Sequence, residues 1–238
     1  MKKITSLIIV FSMLVAMLAC FDVSTAFAAT NGNCGANFGG TNAKWSLNTS
    51  TGVLTISGKG ATKDCGNVGS NQAPWKDSRD KIKSIVVEEG ITALGRYMFY
   101  KCEVAESVSL PSTLTAIGDT KFLEYGTFVD CKALTNVTLP SKLQTIGHAA
   151  FKGCSSLKSI KIPDSVTTIG TSAFEDCKAL STVTFGTGVK VTGNMAFRNS
   201  GVSKVKFSST ITEISPWSFY GCMFVNLEIP ETVEKISI

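Results

Sequence analysis

Histidine is nearly absent from this sequence of 238 residues, in which His148 is the only one. General acid–base catalysis most often uses a histidine within hydrogen-bond reach of the reacting group. His148 follows Gly147 at a position that Thr171 and Asp119 occupy in related segments, so we interpret it as an exposed turn residue. The sequence also offers no nucleophile with a converging base and no opposed pair of carboxylates for glycosidic chemistry. We therefore predict no enzymatic activity and no cofactor.

Blocks of like charge are also lacking. The formal net charge is +5 at pH 7, and loss of the two lysines and one aspartate in residues 1–28 would lower it to +4. This mild basic excess is spread through the chain, which argues against a nucleic-acid footprint. The segment Gly58-Lys59-Gly60 lacks the third glycine of a nucleotide-binding loop and is interpreted as a turn. We predict no nucleic-acid partner.

The longest apolar run, Leu7–Ala19, is too short for a membrane span, which needs about 20 residues. It follows Lys2 and Lys3 and precedes the small-residue pattern Ala26-Phe27-Ala28, as in a secretory signal peptide. We predict a signal peptide over residues 1–28, no transmembrane segment after its removal, and an extracellular, secreted or cell-surface location. A minor alternative is a lipoprotein site at Met17–Cys20, in which Cys20 would carry lipid.

The body of the chain repeats itself. Leu134–Cys154 and Leu157–Cys177 align at an offset of 23 residues, and a degenerate copy begins at Leu180. Phenylalanines recur at this spacing, at positions 128, 151, 174 and 197, with Phe219 after 22 more. A fixed period of 20–29 residues built on leucine-like positions is typical of a leucine-rich-repeat solenoid.

Each repeat is predicted to contain two short parallel strands and a short helical turn. In Leu157–Ile162 the apolar residues alternate with polar ones, as in a half-buried strand, and Pro163 ends it. Val166–Ile169 is β-branched and predicts a second strand, after which Gly170 turns the chain. Ser172–Cys177 is predicted to form the helical turn that leads back.

Residues 29–81 precede the repeats and are predicted to form an N-terminal β-rich cap. Lys44–Leu47 and Val53–Ser57 alternate apolar and polar residues around a glycine-bearing loop, which predicts a β-hairpin. Because the end layer of a solenoid would otherwise expose its core, it needs a different covering element. Trp45 and Trp75 are the expected packing anchors.

Residues 82–238 are assigned to the repeats. Because the last repeat has no closing element, the array is expected to be incomplete at its C-terminal end; the alternative is that a partner covers that end. The second repeat departs from the period. Phe99 and Phe128 are 29 residues apart, so an insertion around Asp119–Gly126 is expected to form a loop. Either Phe122 or Phe128 could then fill the core of this repeat.

The cycle Leu-x-x-Val-x-Leu-Pro-x-x-Leu-x-x-Ile-Gly-x-x-Ala-Phe-x-x-Cys resembles the BspA-like, or Treponema pallidum-type, leucine-rich repeat. The resemblance covers roughly residues 82–238, although Gly186 and Ser208 replace the proline and Ser200 replaces a cysteine. It implies a bacterial surface or secreted protein, in a family that includes adhesins for matrix proteins or other bacteria. No Leu-Pro-x-Thr-Gly sorting signal is present to support anchoring to a cell wall.

Cysteines occupy the same place in successive repeats. We interpret them as a structural ladder of small buried thiols, while disulfides between neighbouring layers are the alternative. The members of this thiol ladder are Cys102, Cys131, Cys154, Cys177 and Cys222. Cys34 and Cys65 lie instead in the N-terminal region and form a possible disulfide, because an even pair in an exported, loop-rich segment favours a bridge.

The outward positions of the first strand in each repeat form the candidate binding face. They carry mostly hydroxyls and amides with a weak basic patch, and aromatic side chains are missing. The possible ligand-binding residues are Asn136, Lys158, Lys161, Lys204 and Lys206. A merely solvated strand face is the competing interpretation.

Two functions remain open from the sequence. The first is a binding or adhesion module for an extracellular protein or glycan. The alternative is a structural or spacer fragment of a larger surface protein or enzyme, with no ligand of its own.

Overall fold

A computed structural model describes residues 30–121, 126–224 and 226–237. The predicted signal peptide at 1–28, with Cys20, lies outside the described residues, and so does Phe122.

The described chain consists of short strands joined by turns. The strands are β1 (Asn31–Asn33), β2 (Ala43–Asn48), β3 (Val53–Gly58), β4 (Gly60–Ala61), β5 (Ser84–Val87), β6 (Ile91–Leu94), β7 (Ser107–Ser109), β8 (Ala116–Ile117), β9 (Thr145–Ile146), β10 (Ser159–Lys161), β11 (Thr168–Ile169), β12 (Thr182–Thr184), β13 (Lys204–Lys206), β14 (Glu213–Ile214) and β15 (Lys235–Ile236). Three short 3-10 helices span Phe38–Gly40, Gly69–Asn71 and Lys76–Lys81.

The first strands of successive repeats lie side by side. The predicted hairpin is confirmed, because β2 and β3 pair antiparallel with Trp45 opposite Ile56. β3 then pairs in parallel with β5, and β5 with β7, so the hairpin continues directly into the repeats. A bridge from Ser107 to Asn136 carries the pairing to the next repeat, and β10, β12 and β13 form a further parallel sheet.

The second strands form their own parallel sheets. β4, β6, β8, β9 and β11 are neighbours in that order, and β14 pairs with β15. Equivalent residues pair across the layers, as Ile146 does with Ile169, 23 positions later. The sequence period is therefore the spacing from one layer to the next, and the predicted parallel strands are confirmed.

A column of phenylalanine rings fills the core between the sheets and the turns. Phe128, Phe151 and Phe174 are fully buried, and their rings stack at centroid distances of 5.1 and 5.4 Å. The column extends to Phe99 at one end and to Phe197 and Phe219 at the other. Phe128 thus fills the core of the second repeat, since its ring lies 4.9 Å from that of Phe99.

Two tryptophans continue this column into the N-terminal region. The Trp75 ring stacks on Phe99 at 5.8 Å, and the Trp45 ring meets Trp75 edge-on at 5.5 Å. Both indoles are nearly fully buried, at 3% and 1% exposure for Trp45 and Trp75. Large aromatic surfaces removed from water contribute strongly to a core, so this contact joins the hairpin to the first repeat.

The predicted helical turn at Ser172–Cys177 is wrong. The segment forms consecutive turns in which Ser172 and Asp176 have left-handed backbone angles, with φ of 58° and 60°. The N–H groups of Ser172 and Phe174 donate to carbonyl oxygens of the next layer, at Asn194 and Ala196. These bonds between layers satisfy the backbone groups that a helix would pair within itself, so no helix is needed.

Gly170 was predicted to turn the chain, but its main role is to allow close packing. A Cβ atom at this position would lie 2.4 Å from the His148 backbone nitrogen, in the preceding layer. Gly147 is under the same constraint, with a Cβ only 2.5 Å from the Asp119 carbonyl oxygen. Glycine recurs here because the layers approach backbone to backbone.

Candidate functional site

An open groove of about 880 Å³ lies on the outward side of the first strands. We call it the strand-face groove, and its polar lining includes Asn136, Ser159, Lys161, Asp164, Thr184 and Lys206. Three of the five predicted ligand-binding residues therefore lie together in one concavity. Lys158 and Lys204 are also exposed but do not line the groove.

Strand register places the two groove lysines. Lys161 is paired with Thr184, and Thr184 with Lys206, across β10, β12 and β13. Because adjacent strands are about 4.8 Å apart, the Cα atoms of Lys161 and Lys206 are separated by about 10 Å. Ile160 and Val183 directly precede Lys161 and Thr184 on their strands; they point into the core and are 2% and 0% exposed. The alternation that buries these residues turns the lysines outward.

The groove lysines have little counter-charge. Among the described residues, neither Lys161 nor Lys206 has a carboxylate within 4 Å of its ammonium group. Asp164 lines the same groove, but it accepts a hydrogen bond from the Thr187 backbone N–H at 2.8 Å. That bond lowers the pKa of the Asp164 carboxyl, and Lys161 adds to the effect. The groove consequently carries a net positive charge.

The thiol ladder has a specific hydrogen-bond pattern. The Sγ atoms of Cys131 and Cys154 donate to the carbonyl oxygens of Phe99 and Phe128, one repeat earlier, at 3.1 and 3.3 Å. The same bond is made by Cys177 and by Cys222. All five ladder cysteines are free thiols in the structure. Burial raises the pKa of Cys102 to about 12, and that of Cys154 well above its ordinary value. These thiols are therefore held in the unreactive, protonated form.

Ser200 stands where a cysteine is expected in the ladder and bonds differently. Its hydroxyl donates to the carbonyl oxygen of Phe197 in its own repeat, at 2.6 Å. It also lies 3.4 Å from the Cys222 sulfur. The position accepts serine because the hydroxyl finds this nearer acceptor.

Cys34 and Cys65 are both buried and are free thiols in the structure. Burial, with a smaller contribution from the neighbouring Cys65, raises the pKa of Cys34 to about 12. The backbone joins the two segments as well, since the Lys63 N–H donates to the Cys34 carbonyl oxygen at 2.8 Å. The two thiols therefore lie on adjacent strand-like segments. Because both are free in the structure, their pairing as a disulfide stays a prediction.

His148 has a structural role in the layers. It is half-buried, contrary to the expected exposed position, and both ring nitrogens are engaged. Nδ1 accepts the backbone N–H of Thr171 at 2.7 Å, so the proton is assigned to Nε2, which lies 2.7 Å from the Thr120 carbonyl oxygen. The ring connects the start of the inserted segment to the following repeat.

The sequence did not predict an exposed aromatic pair formed by Trp217 and Tyr220. Trp217 and Tyr220 are 47% and 60% exposed, with ring centroids 5.4 Å apart. The Arg198 guanidinium lies over both rings, at 5.6 and 5.9 Å. The available signal was that Trp217 replaces the smaller Met195 and Ser172 of the preceding repeats. This pair lies on the turn side of the layers and not in the strand-face groove.

In the described part of the chain, no three or more histidine, cysteine or acidic side chains are grouped so as to ligate a metal ion. Nor does any described helix have the length and apolar character that a membrane crossing requires.

Solved structures similar to this chain are leucine-rich-repeat proteins. One from Eubacterium ventriosum is 24% identical, with a TM-score of 0.51 over 87% of this chain and 68% of its own. One from Bacteroides ovatus is 20% identical, with a TM-score of 0.54 over 81% of this chain and 58% of its own. The T. pallidum leucine-rich-repeat protein is 23% identical, with a TM-score of 0.54 over 74% of this chain and 85% of its own. At these identities the likeness supports the fold alone.

A search of the curated proteins finds no match to this chain. The family model for the BspA type leucine-rich-repeat region, in contrast, matches residues 77–125 and 121–238 in six copies. These matches cover more than half of the chain and coincide with the layers described above. The chain therefore belongs to the family of BspA-type leucine-rich-repeat proteins.

Proposed function

We propose that this protein is exported and acts as a binding module that holds an extracellular protein or glycan in the strand-face groove. In this proposal the layers form a solenoid, the hairpin of β2 and β3 covers its N-terminal end, and the protein has no catalytic role. The sequence pattern of residues 1–28 supports export. Membership of a repeat family supports binding, because stacked repeats present extended concave surfaces.

The strand-face groove is proposed as the binding surface because of its two lysines. Lys161 and Lys206 project into the strand-face groove without a carboxylate partner among the described residues. A surface ion pair contributes only about 0–1 kcal/mol to stability, so the fold loses little by leaving these two lysines unpaired. Two unpaired lysines in one concavity are available to a ligand without first breaking internal ion pairs.

The experiment compares three forms of the purified chain on a panel of immobilised matrix proteins and glycans. The test variant combines Lys161→Thr and Lys206→Thr, which is structurally mild because Thr184 occupies the paired position between them. The matched control is Lys190→Thr, an exposed lysine outside the groove whose equivalent in the preceding repeat is Thr167.

The proposal expects the parent and Lys190→Thr to bind a common ligand and the double variant to lose it. Equal binding by all three forms would refute the strand-face groove as the binding surface. Absence of any ligand across the panel would favour the spacer alternative. Export is tested separately, by sequencing the N terminus of the released protein, for which a start at residue 29 is expected.

A further inference from the structure

The strand-face groove also indicates the chemical class of its ligand, on the condition that the proposed function is correct. Within the described part of the chain, the positive side chains that line it are lysines and none is an arginine. Lysine presents a compact charge with three rotatable donors, whereas arginine offers the planar fork that suits a fixed carboxylate geometry. A lysine groove therefore fits acidic groups whose orientation varies along a flexible ligand.

The lining of the groove does not resemble a protein–protein hot spot. Such hot spots are enriched in tryptophan, tyrosine and arginine. None of the exposed large apolar side chains in the described chain lines this groove, and the exposed aromatic pair Trp217 and Tyr220 lies elsewhere. The groove instead presents hydroxyl and amide groups, from Ser159, Thr184 and Asn136. These groups suit a ligand that is itself rich in hydroxyls.

Stacking platforms are missing from the groove as well. Single-stranded nucleic acids bind through aromatic side chains that stack on bases, together with a positive groove. Among the described residues that line the groove, the one aromatic ring belongs to Phe185, which is 4% exposed and packs inward against Phe197. The observations thus favour a polyanion without flat bases.

The groove runs across the strands and not along one of them. Its lining takes residues from four successive layers, represented by Asn136, Lys161, Thr184 and Lys206. Three strand spacings correspond to about 14 Å. The exposed positive charges end at Lys206, because the exposed Glu228 takes the equivalent position in the next repeat. A ligand would therefore extend along the stack of layers and place acidic groups at two positions about 10 Å apart.

We propose that the ligand is an anionic polysaccharide, whose sulfate or carboxylate groups bind Lys161 and Lys206 while its hydroxyls bond to the polar lining. The acidic groups of the polysaccharide neutralise the positive charge of the two lysines, and the intervening Thr184 and Ser159 contact the sugar rings. Part of the binding energy is electrostatic, so the affinity falls as ionic strength rises.

The test measures binding of the full chain to defined probes by biolayer interferometry at several salt concentrations. The probes are heparin, which carries sulfate and carboxylate, heparosan, which carries carboxylate alone, and neutral dextran. Poly-glutamate and a thymidine oligonucleotide represent the other polyanions. The variants are again Lys161→Thr with Lys206→Thr, and Lys190→Thr as the control.

The proposal expects heparin or heparosan to bind, dextran to stay unbound, and the double variant to bind about tenfold more weakly, as two surface charge contacts allow. Lys190→Thr should remain within about twofold of the parent, since an exposed lysine outside the groove contributes little. The difference between heparin and heparosan shows whether sulfate or carboxylate is the group recognised.

Two results would overturn the ligand class while leaving the binding face intact. They are preferential binding of poly-glutamate or the oligonucleotide, or binding of a neutral ligand, in each case lost in the double variant. Polysaccharide binding that the double variant retains would contradict both the ligand class at this groove and the proposed binding face. Circular dichroism of each variant establishes that the loss of binding is not a loss of folding.

Discussion

The thiol ladder makes a prediction about stability at alkaline pH. Cys154 is fully buried, and its Sγ donates to the Phe128 carbonyl oxygen at 3.3 Å. Burial raises the pKa of this thiol well above its ordinary value, and the neighbouring Cys131 and Cys177 raise it further. In the unfolded chain a cysteine titrates near pH 8.5. Between the two pKa values the folded protein keeps a proton that the unfolded chain has lost.

The free energy of unfolding therefore falls as pH rises above about 8.5. One such thiol contributes a slope of about 1.4 kcal/mol per pH unit, which amounts to about 2 kcal/mol between pH 8.5 and 10.5. The variant Cys154→Ser removes this contribution alone. Ser200 shows that a serine at the equivalent position finds an acceptor, the Phe197 carbonyl oxygen in its own repeat.

The assay is urea unfolding of the parent and Cys154→Ser at both pH values, in a phosphine reductant. Lysines and tyrosines also titrate in this range, but they are common to both proteins and cancel in the difference. The stability gap between the parent and the variant should shrink, or reverse, by about 2 kcal/mol at the higher pH. A gap independent of pH would refute a protonated thiol at this position. The same measurement without the reductant tests the alternative, since a gap that depends on pH only in the presence of the reductant would show that the cysteines pair as disulfides between layers.

Other predictions concern the core, the packing of layers and the N-terminal region. Phe151→Ala should lower the free energy of unfolding by about 3–5 kcal/mol, because it empties the middle of the ring column; a loss under about 1 kcal/mol in urea unfolding would contradict the stack. Gly170→Ala should lower the melting temperature sharply, because the added Cβ would lie 2.4 Å from the His148 backbone nitrogen. The control Gly66→Ala should not, because its Cβ would have no neighbour nearer than 3.5 Å, and equal effects would contradict the close approach of layers. In the exported protein, denatured so that burial no longer shields the thiols, Cys34 and Cys65 should resist alkylation until reduced. Peptide mass spectrometry that finds both alkylated without reduction would exclude their disulfide.

Much of this fold was accessible from the sequence because the same positions recur. The spacing of Phe128, Phe151 and Phe174 predicts one large ring in each layer, and the rings do stack. Alternation in Ser159–Lys161 predicts which side chains face outward, and Lys161 is exposed while Ile160 is buried. A period reports how one layer relates to the next, which is why these features could be predicted.

The errors arose where contacts between layers decide the local structure. Ser172–Cys177 has a pattern that a helical turn would also satisfy, but its N–H groups bond to the next layer instead. Gly170 was interpreted as a turn residue because a sequence does not show that another backbone lies 2.4 Å from its Cβ position. The grouping of Asn136, Lys161 and Lys206 in one groove could not be predicted, because residue spacing does not give the shape of the surface that these side chains form.

Trp217 was missed for the opposite reason. The repeat pattern directs attention to what the copies share, whereas Trp217 differs from its counterparts Met195 and Ser172. Its ring is 47% exposed, whereas the smaller Ser172 at the same place two repeats earlier is buried. Departures from a repeat are therefore as informative about surfaces as the repeat is about the core.

Lysine footprinting tests most directly whether the strand-face groove binds the proposed ligand. In this experiment surface lysines are acetylated with and without the bound ligand and quantified by mass spectrometry. We predict that the ligand protects Lys161 and Lys206 from acetylation and leaves Lys190 unprotected. Protection of Lys190 with unchanged reactivity at Lys161 and Lys206 would contradict binding at this groove.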